Sequence, residues 1–276
     1  MVNSFRRKFF LIFLALVFFL LQGVDAGADI DEIMNRGYLT VAMVSQDAFP
    51  FFFRSGDGRF YGFDVDIARD IALNLGVGVV FRRDAESFDD LVDMLASRKA
   101  DLAISWFSRT LERAQRIRFS KPYFTDRQCL LINRLKYART CNAKDYVNGL
   151  NQRNVTVGTV QGTAYVGFLK NFLPRAAIRL YPNWELCYRD VIAGGIIAGM
   201  GSEVSMLSLL YLHPEVSLNV KMVRLPANDY ICIGIDPAIN EKLSAWVNIF
   251  LRLKNYKYSS EGLIGKYGNR FKGLFQ

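Results

Sequence analysis

The 276-residue chain is expected to form an α/β fold of two lobes joined by two crossings of the chain, and three observations predict it. Strand and helix patterns alternate from Leu39 to Thr110, the mark of a sheet of parallel strands with helices packed on it. The alternation begins again near Asn154 without repeating the residues, so a second lobe of similar build follows. Between and after these units, Gln128–Leu135 reads as a strand leading out and Tyr230–Ile235 as a strand leading back. Two such crossings imply a hinge.

Ahead of the first lobe stands a targeting segment. Arg6, Arg7 and Lys8 are followed by an apolar run from Phe9 to Leu21 and by Val24-Asp25-Ala26, a cleavage site of small residues. The run is shorter than the roughly 20 residues that span a bilayer, so residues 1–26 read as a signal peptide cleaved near Ala26. The competing reading is an uncleaved anchor. The paired arginines suit the twin-arginine route, while the very apolar run favours the general secretory one, and with no Cys after the run no lipid anchor is indicated. Net charge is +9, falling to +7 without the leader, which favours anionic ligands or surfaces. Lysines and arginines are scattered and no recognition module is visible, so nucleic acid is not an expected partner. Cys129, Cys141, Cys187 and Cys232 fit no zinc spacing. They read either as disulfides of an exported protein or as buried thiols. Cys129 and Cys232 fall on the two crossing strands, where a bond would staple the hinge and leave Cys141 to pair with Cys187.

In the first lobe, Asp29–Arg36 is an amphipathic helix ended by Gly37, and Leu39–Val44 an apolar strand. An aromatic loop holds Phe49, Phe51, Phe52 and Phe53, and glycines at 56 and 58 signal a hairpin turn. Gly62 to Leu75 is a helix with Asp64 read as its N-cap, so Asp64 and Asp66 need no catalytic explanation. Val77–Phe81 is a strand and Phe88–Arg98 a helix. Then comes Leu102–Ile104, a buried strand, a polar turn over Ser105–Arg109, and a helix capped by Thr110. Arg113 falls in that helix's first turn, where a cation opposes the dipole by roughly 0.3–1 kcal/mol. Either an anion rests there, served by the hydroxyls of Ser105, Ser108 and Thr110 and walled by Trp106 and Phe107, or Arg113 is an exposed partner of Glu112.

The second lobe reads as the strand Val155–Val160, a turn at Gln161-Gly162-Thr163, and a helix over Ala164–Phe172 capped by Thr163. Arg179–Tyr181, Trp184–Ala193, Ile196–Met200 and Glu203–Leu212 continue the alternation, and Pro237–Lys254 and Ser260–Tyr267 are terminal helices. Strand ends of the first lobe, at Ser45–Phe53, the loop before Phe88 and Ser105–Thr110, converge on one edge, where such sheets bind ligands, and the Gly162-Thr163-Ala164 turn of the second lobe is another helix start offering backbone N–H groups to an anion.

These residues resemble the bacterial periplasmic solute-binding proteins of the polar amino-acid type, solute-binding family 3, which serve ABC importers. The resemblance rests on Leu39-Thr-Val-Ala with Pro50-Phe51, Gly62-Phe-Asp-Val-Asp-Ile-Ala, Leu75-Gly-Val77, Lys99-Ala-Asp-Leu-Ala-Ile, Thr110-Leu-Glu-Arg113, Phe119-Ser-Lys-Pro-Tyr123 and Val157-Gly-Thr-Val-Gln-Gly-Thr163. It implies a type 2 periplasmic-binding fold with lobe 1 over residues 27–132 and 231–276 and lobe 2 over 133–230. It also implies a periplasmic monomer that holds a carboxylate-bearing ligand and docks on an ABC permease. In such proteins the arginine at Arg113 takes the ligand's carboxylate, with Ser108 and the backbone at Trp106 assisting and Thr163 and Ala164 approaching from lobe 2; Phe88 is placed at the same edge. The acid that usually holds the ligand's ammonium is replaced by Ser202, with Glu203 beside it, and the covering aromatic falls on Ala48, beside Phe49. Either Glu203 and Phe49 take over by a one-residue shift, or the ligand lacks an ammonium there. No metal or cofactor is expected. The chain has a single His, His213, and no nucleophile–base constellation, so a non-enzymatic binding protein is the first reading. The alternatives are a dehydratase-like enzyme on the same scaffold, using a cleft acid such as Glu203, and a stand-alone sensory module.

Overall fold

The computed structural model describes residues 30–55, 58–141, 143–238 and 241–274; the targeting segment and the tip of the expected hairpin lie outside them. The first lobe opens with α1 (Ile30–Arg36), β1 (Tyr38–Val44) and the short antiparallel pair β2 (Phe53–Arg54) and β3 (Phe60–Tyr61). It continues with α2 (Phe63–Leu75), β4 (Gly78–Ala85), α3 (Phe88–Ala96), β5 (Leu102–Ala103), α4 (Leu111–Ala114) and β6 (Arg118–Phe119). The chain then crosses on β7 (Phe124–Asn133) into α5 (Arg134–Thr140), α6 (Tyr146–Leu150), β8 (Thr156–Val160), α7 (Tyr165–Phe172), β9 (Ala177–Tyr181), α8 (Trp184–Ala193), β10 (Ala198–Ser202) and α9 (Glu203–Leu212). It returns on β11 (Val220–Ile231), which feeds β12 (Gly234–Ile235), α10 (Glu241–Lys254) and α11 (Ser260–Leu274).

Both sheets are mixed. The first runs β4-β1-β5-β12-β6, with β1 parallel to β4 and β5 and the returning β12 antiparallel to β5 and β6. The second runs β11-β7-β10-β8-β9, with β8 parallel to β9 and β10, and β7 antiparallel to β10 and β11. A wholly parallel arrangement is therefore corrected: the strands that carry the crossings must enter against the direction of the rest. The single return strand expected over Tyr230–Ile235 is two strands in two sheets, with β11 starting ten residues earlier than that range. Between the lobes, β7 and β11 lie side by side, Phe124 opposite Ile231 and Asp126 opposite Asp229.

Burial explains the elements. Leu39, Val41 and Met43 of β1 pack with Ile67 and Ile71 of α2 and Leu91 and Leu95 of α3 in the first core. In the second lobe Val157, Leu169 and Met200 fill one face of the sheet, and Cys129, Cys187 and Val191 the other. All four cysteines are free thiols, so the stapled-hinge pairing is not present. Burial pushes the Cys129, Cys187 and Cys232 thiols up to about 12, which makes them core residues of low reactivity. His213 is exposed beside Glu215, in keeping with a surface turn.

Gly62 caps α2 in place of Asp64, at φ 123° and with no side-chain cap. A Cβ there would stand 2.2 Å from the carbonyl oxygen of Phe51. Gly62→Ala should therefore cost at least about 2 kcal/mol from the disfavoured backbone and the contact together, read as a lower urea midpoint with unchanged m-value; a midpoint within error of the parent would show that the aromatic loop yields freely.

Candidate functional site

Phe88, Trp106, Ser108, Arg113, Thr163 and Ala164 line one cavity between the lobes, joined by Tyr165 and Trp184. Its free volume is about 10 Å³, roughly that of a single water site. It is the pinched middle of a longer cleft. One mouth, of about 670 Å³, is walled by Ser45, Asp47, Arg54 and Arg83 from the first lobe and by Asn183 to Glu185 from the second. The other, of about 640 Å³, lies between Arg109–Arg113 and Gln161–Ala164 and includes Thr110.

Arg113 owes its position to its short helix and to the turn before it. Thr110 caps α4 by accepting the Arg113 amide at 3.2 Å, as its hydroxyl and extended backbone suit. The guanidinium is buried, stacked 4.9 Å from the Phe107 ring centroid and 5.9 Å from that of Phe88. Nη1 donates to the Ser108 carbonyl at 3.1 Å; Nη2 donates to Asp89 and, across the cleft, to the Gly162 carbonyl, each at 3.1 Å. Its ion-pair partner is thus Asp89, not Glu112, and it is not an exposed arginine. Burial lowers its pKa, yet a guanidinium stays charged.

Ser108 lies on the loop that runs along the returning strand: the Phe107 carbonyl accepts from the Cys232 amide, and the Arg109 amide donates to Tyr230. The Ser108 hydroxyl donates to Asp229 Oδ2 at 2.8 Å, and the Tyr165 hydroxyl donates to the same oxygen at 3.0 Å. Trp106 adopts φ 47°, a left-handed conformation uncommon for a bulky residue. Asp64 Oδ2 accepts its amide at 2.5 Å, while the other Asp64 oxygen accepts from Tyr123 at 2.8 Å. The Trp106 indole donates to Asp126 at 3.3 Å and stacks on Phe51, with ring centroids 5.1 Å apart. Opposite, Trp184 meets Tyr165 edge-on at 5.5 Å.

Three fully buried carboxylates thus bond to residues of the cavity wall without lining it themselves. Burial pushes Asp64 and Asp126 up to about 7 and Asp229 up to about 6. The Asp229 charge raises Asp126 further, while the hydrogen bonds from Ser108 and Tyr165, and then the Arg113 charge, pull Asp229 back down. Because the two face each other across the β7–β11 ladder, their protons are shared events of a pair.

Three expected residues, Phe49, Glu203 and Ser202, are elsewhere. Phe49 turns away to pack on Tyr211, Phe53 and Phe271, with centroids 6.4, 5.9 and 4.6 Å apart. Glu203 forms an ion pair with Arg224 and accepts from Ser260 at 3.1 Å, so the cavity does not include it. Ser202 is buried as the cap of α9, its oxygen accepting the Ser205 amide at 3.0 Å. Thr163 does not cap α7; its hydroxyl donates to the Val160 carbonyl at 2.7 Å. Sequence reasoning missed Tyr165, Trp184, Asp126 and Asp229. The acids carry no local signal, since Asp126 stands among Thr125, Arg127 and Gln128 and Asp229 follows Asn228, all polar neighbours. Among the described residues no group of His, Cys, Asp or Glu could hold a metal ion.

The family model for bacterial extracellular solute-binding proteins, family 3, matches residues 39–255. Cyclohexadienyl dehydratase of Pseudomonas aeruginosa is 28% identical over 187 residues, 68% of this chain and 67% of that one. The solved structure of an ancestral amino acid-binding protein, AncCDT-1, described as a precursor of cyclohexadienyl dehydratase, superposes with a TM-score of 0.71 at 28% identity, covering 86% of this chain and 98% of that one. An amino acid ABC transporter substrate-binding protein of Streptococcus pneumoniae, AbpA, bound to L-arginine, superposes with a TM-score of 0.70 at 26% identity, covering 89% and 99%.

The buried Asp64 makes stability depend on pH. Its folded pKa of about 7 lies above the ordinary aspartate value of 3.8, so between those values the folded state binds more protons than the unfolded one and stability falls as pH rises. Asp64→Asn should flatten the change in urea midpoint between pH 5 and pH 7.5 relative to the parent; parallel curves would show that Asp64 does not titrate in that window.

Proposed function

This chain belongs to the bacterial extracellular solute-binding proteins of family 3, and from that membership we propose that it captures an amino acid or closely related carboxylate between its lobes and presents it to an ABC importer. The observation that carries the reading is Arg113: a buried guanidinium at the centre of an interlobe cavity, with two of its donors resting on backbone carbonyls. A carboxylate is the better acceptor for that planar fork. It would displace the Gly162 contact, and the aromatic rings of Phe88, Trp106 and Trp184 would enclose the rest of the ligand. A cavity of about 10 Å³ is too small for any amino acid, so entry requires the lobes to part along β7 and β11, which act as the hinge. Lobe 1 is then residues 27–132 with 231–276, and lobe 2 residues 133–230. Export through the N-terminal segment places the protein in the periplasm as a monomer, and its partner is an ABC permease. The relatives that bind L-arginine or are described as amino acid-binding support this ligand class.

A second reading is favoured by the similarity to cyclohexadienyl dehydratase together with the buried Asp126, whose carboxyl is pushed up to about 7. An acid in that state could protonate a departing hydroxyl. Dehydration of a cyclohexadienyl substrate would be seen directly as the rise of aromatic absorbance.

The first test is a thermal-shift screen of the mature protein against amino acids and small mono- and dicarboxylates, with Arg113→Gln in parallel. A ligand specific for the folded state adds about 2.7 kcal/mol when present at roughly a hundred times its Kd. An amino acid should raise Tm in the parent and not in Arg113→Gln; a shift indifferent to Arg113 would remove the carboxylate clamp.

A further inference from the structure

Asp229 is the one acid of the site with spare hydrogen-bonding capacity. Its Oδ2 accepts from both Ser108 and Tyr165, whereas its Oδ1 is buried with no partner. A buried acceptor left open in this way costs free energy until a donor reaches it. Both hydroxyl donors line the cavity beside Arg113, so the carboxylate stands directly behind the cavity wall. Asp126 faces it on the neighbouring strand and has its own oxygens engaged by the Trp106 indole and by the amides of Arg127 and Val204. Two acids crowded together on a ladder repel one another, and a cation at Asp229 would relieve that repulsion. Glu203, by contrast, is held by Arg224 and Ser260, and Ser202 is occupied in capping.

We propose that Asp229, on the strand that returns between the lobes, receives the ammonium of a zwitterionic ligand whose carboxylate sits on Arg113. This rests on the amino-acid reading above and names the residue that replaces an acid at Ser202. Oδ1 accepts an ammonium N–H, while Ser108 and Tyr165 keep Oδ2 oriented. Because Ser108 and Arg113 come from the first lobe, Tyr165 from the second and Asp229 from the crossing between them, a ligand bound this way joins all three parts. The ligand class is thereby α-amino acids, not simple carboxylates.

Isothermal titration of the mature protein with L-arginine, L-lysine and L-glutamine, each against its des-amino acid (5-guanidinopentanoate, 6-aminohexanoate and 4-carbamoylbutanoate), tests the assignment. At least one amino acid should bind the parent a hundredfold or more tighter than its des-amino acid. In Asp229→Asn that ratio should fall below about tenfold, with the des-amino acid bound as well as before, while Glu203→Gln should keep the full ratio. Equal binding of an amino acid and its des-amino acid by the parent overturns the Asp229 assignment while leaving the carboxylate clamp intact, and needs no variant to fold. Full discrimination retained in Asp229→Asn, or lost in Glu203→Gln alone, also overturns it. If the parent binds none of these carboxylates, the amino-acid reading fails and the subsite with it.

Discussion

The turn at Trp106 is held by a buried carboxylate on each side, and the geometry of the cleft depends on it. Asp64 takes the backbone amide and Asp126 the indole. Without the first, a bulky residue would not keep a left-handed backbone, since that conformation needs surroundings that over-determine it. With Trp106 fixed, the following residues run along the returning strand, Ser108 meets Asp229, and Thr110 starts the helix that delivers Arg113. A carboxylate at the start of α2 therefore sets the position of a guanidinium almost fifty residues later. The acid that reads most simply as a helix cap is in fact the anchor of the site.

Charge in the cavity is arranged for exchange. Arg113 is desolvated and held by carbonyls and by an exposed Asp89, partners weaker than a fully buried counter-ion. Asp126 is pushed up to about 7 by burial and by the Asp229 charge on the adjacent strand. Such groups are costly where they stand unpaired and become favourable when opposite charge reaches them. A core of apolar side chains at the same place would be more stable and would have nothing to exchange.

Most of the architecture could be read from hydrophobic periodicity and caps: α8 and α9 fall where the pattern places them, and Thr110 caps α4. What escaped depends on pairing at long range. β7 begins at Phe124 and β11 at Val220, and reading those strands as starting at Gln128 and Tyr230 leaves Asp126 and Asp229 in apparent loops. Arg113, Ser108, Trp106, Thr163, Ala164 and Phe88 were legible because their motifs are local and ordered along the chain. Glu203 and Phe49 failed for a different reason. Both have stronger local partners, Arg224 for one and a cluster of rings for the other, and only the folded chain brings those partners near.

The first sheet has β12 inserted between β5 and β6, although more than a hundred residues separate β6 from β12 along the chain. During synthesis the earlier strands of that lobe must therefore wait with an open seam, whereas the second lobe is nearly contiguous and can close on its own. Long-range pairing of this kind is slow because the intervening chain must be brought round first. The lobe that carries Arg113 cannot complete its sheet until Gly234 and Ile235 have arrived. The split sheet thus leaves half the protein incomplete until almost the whole chain is available.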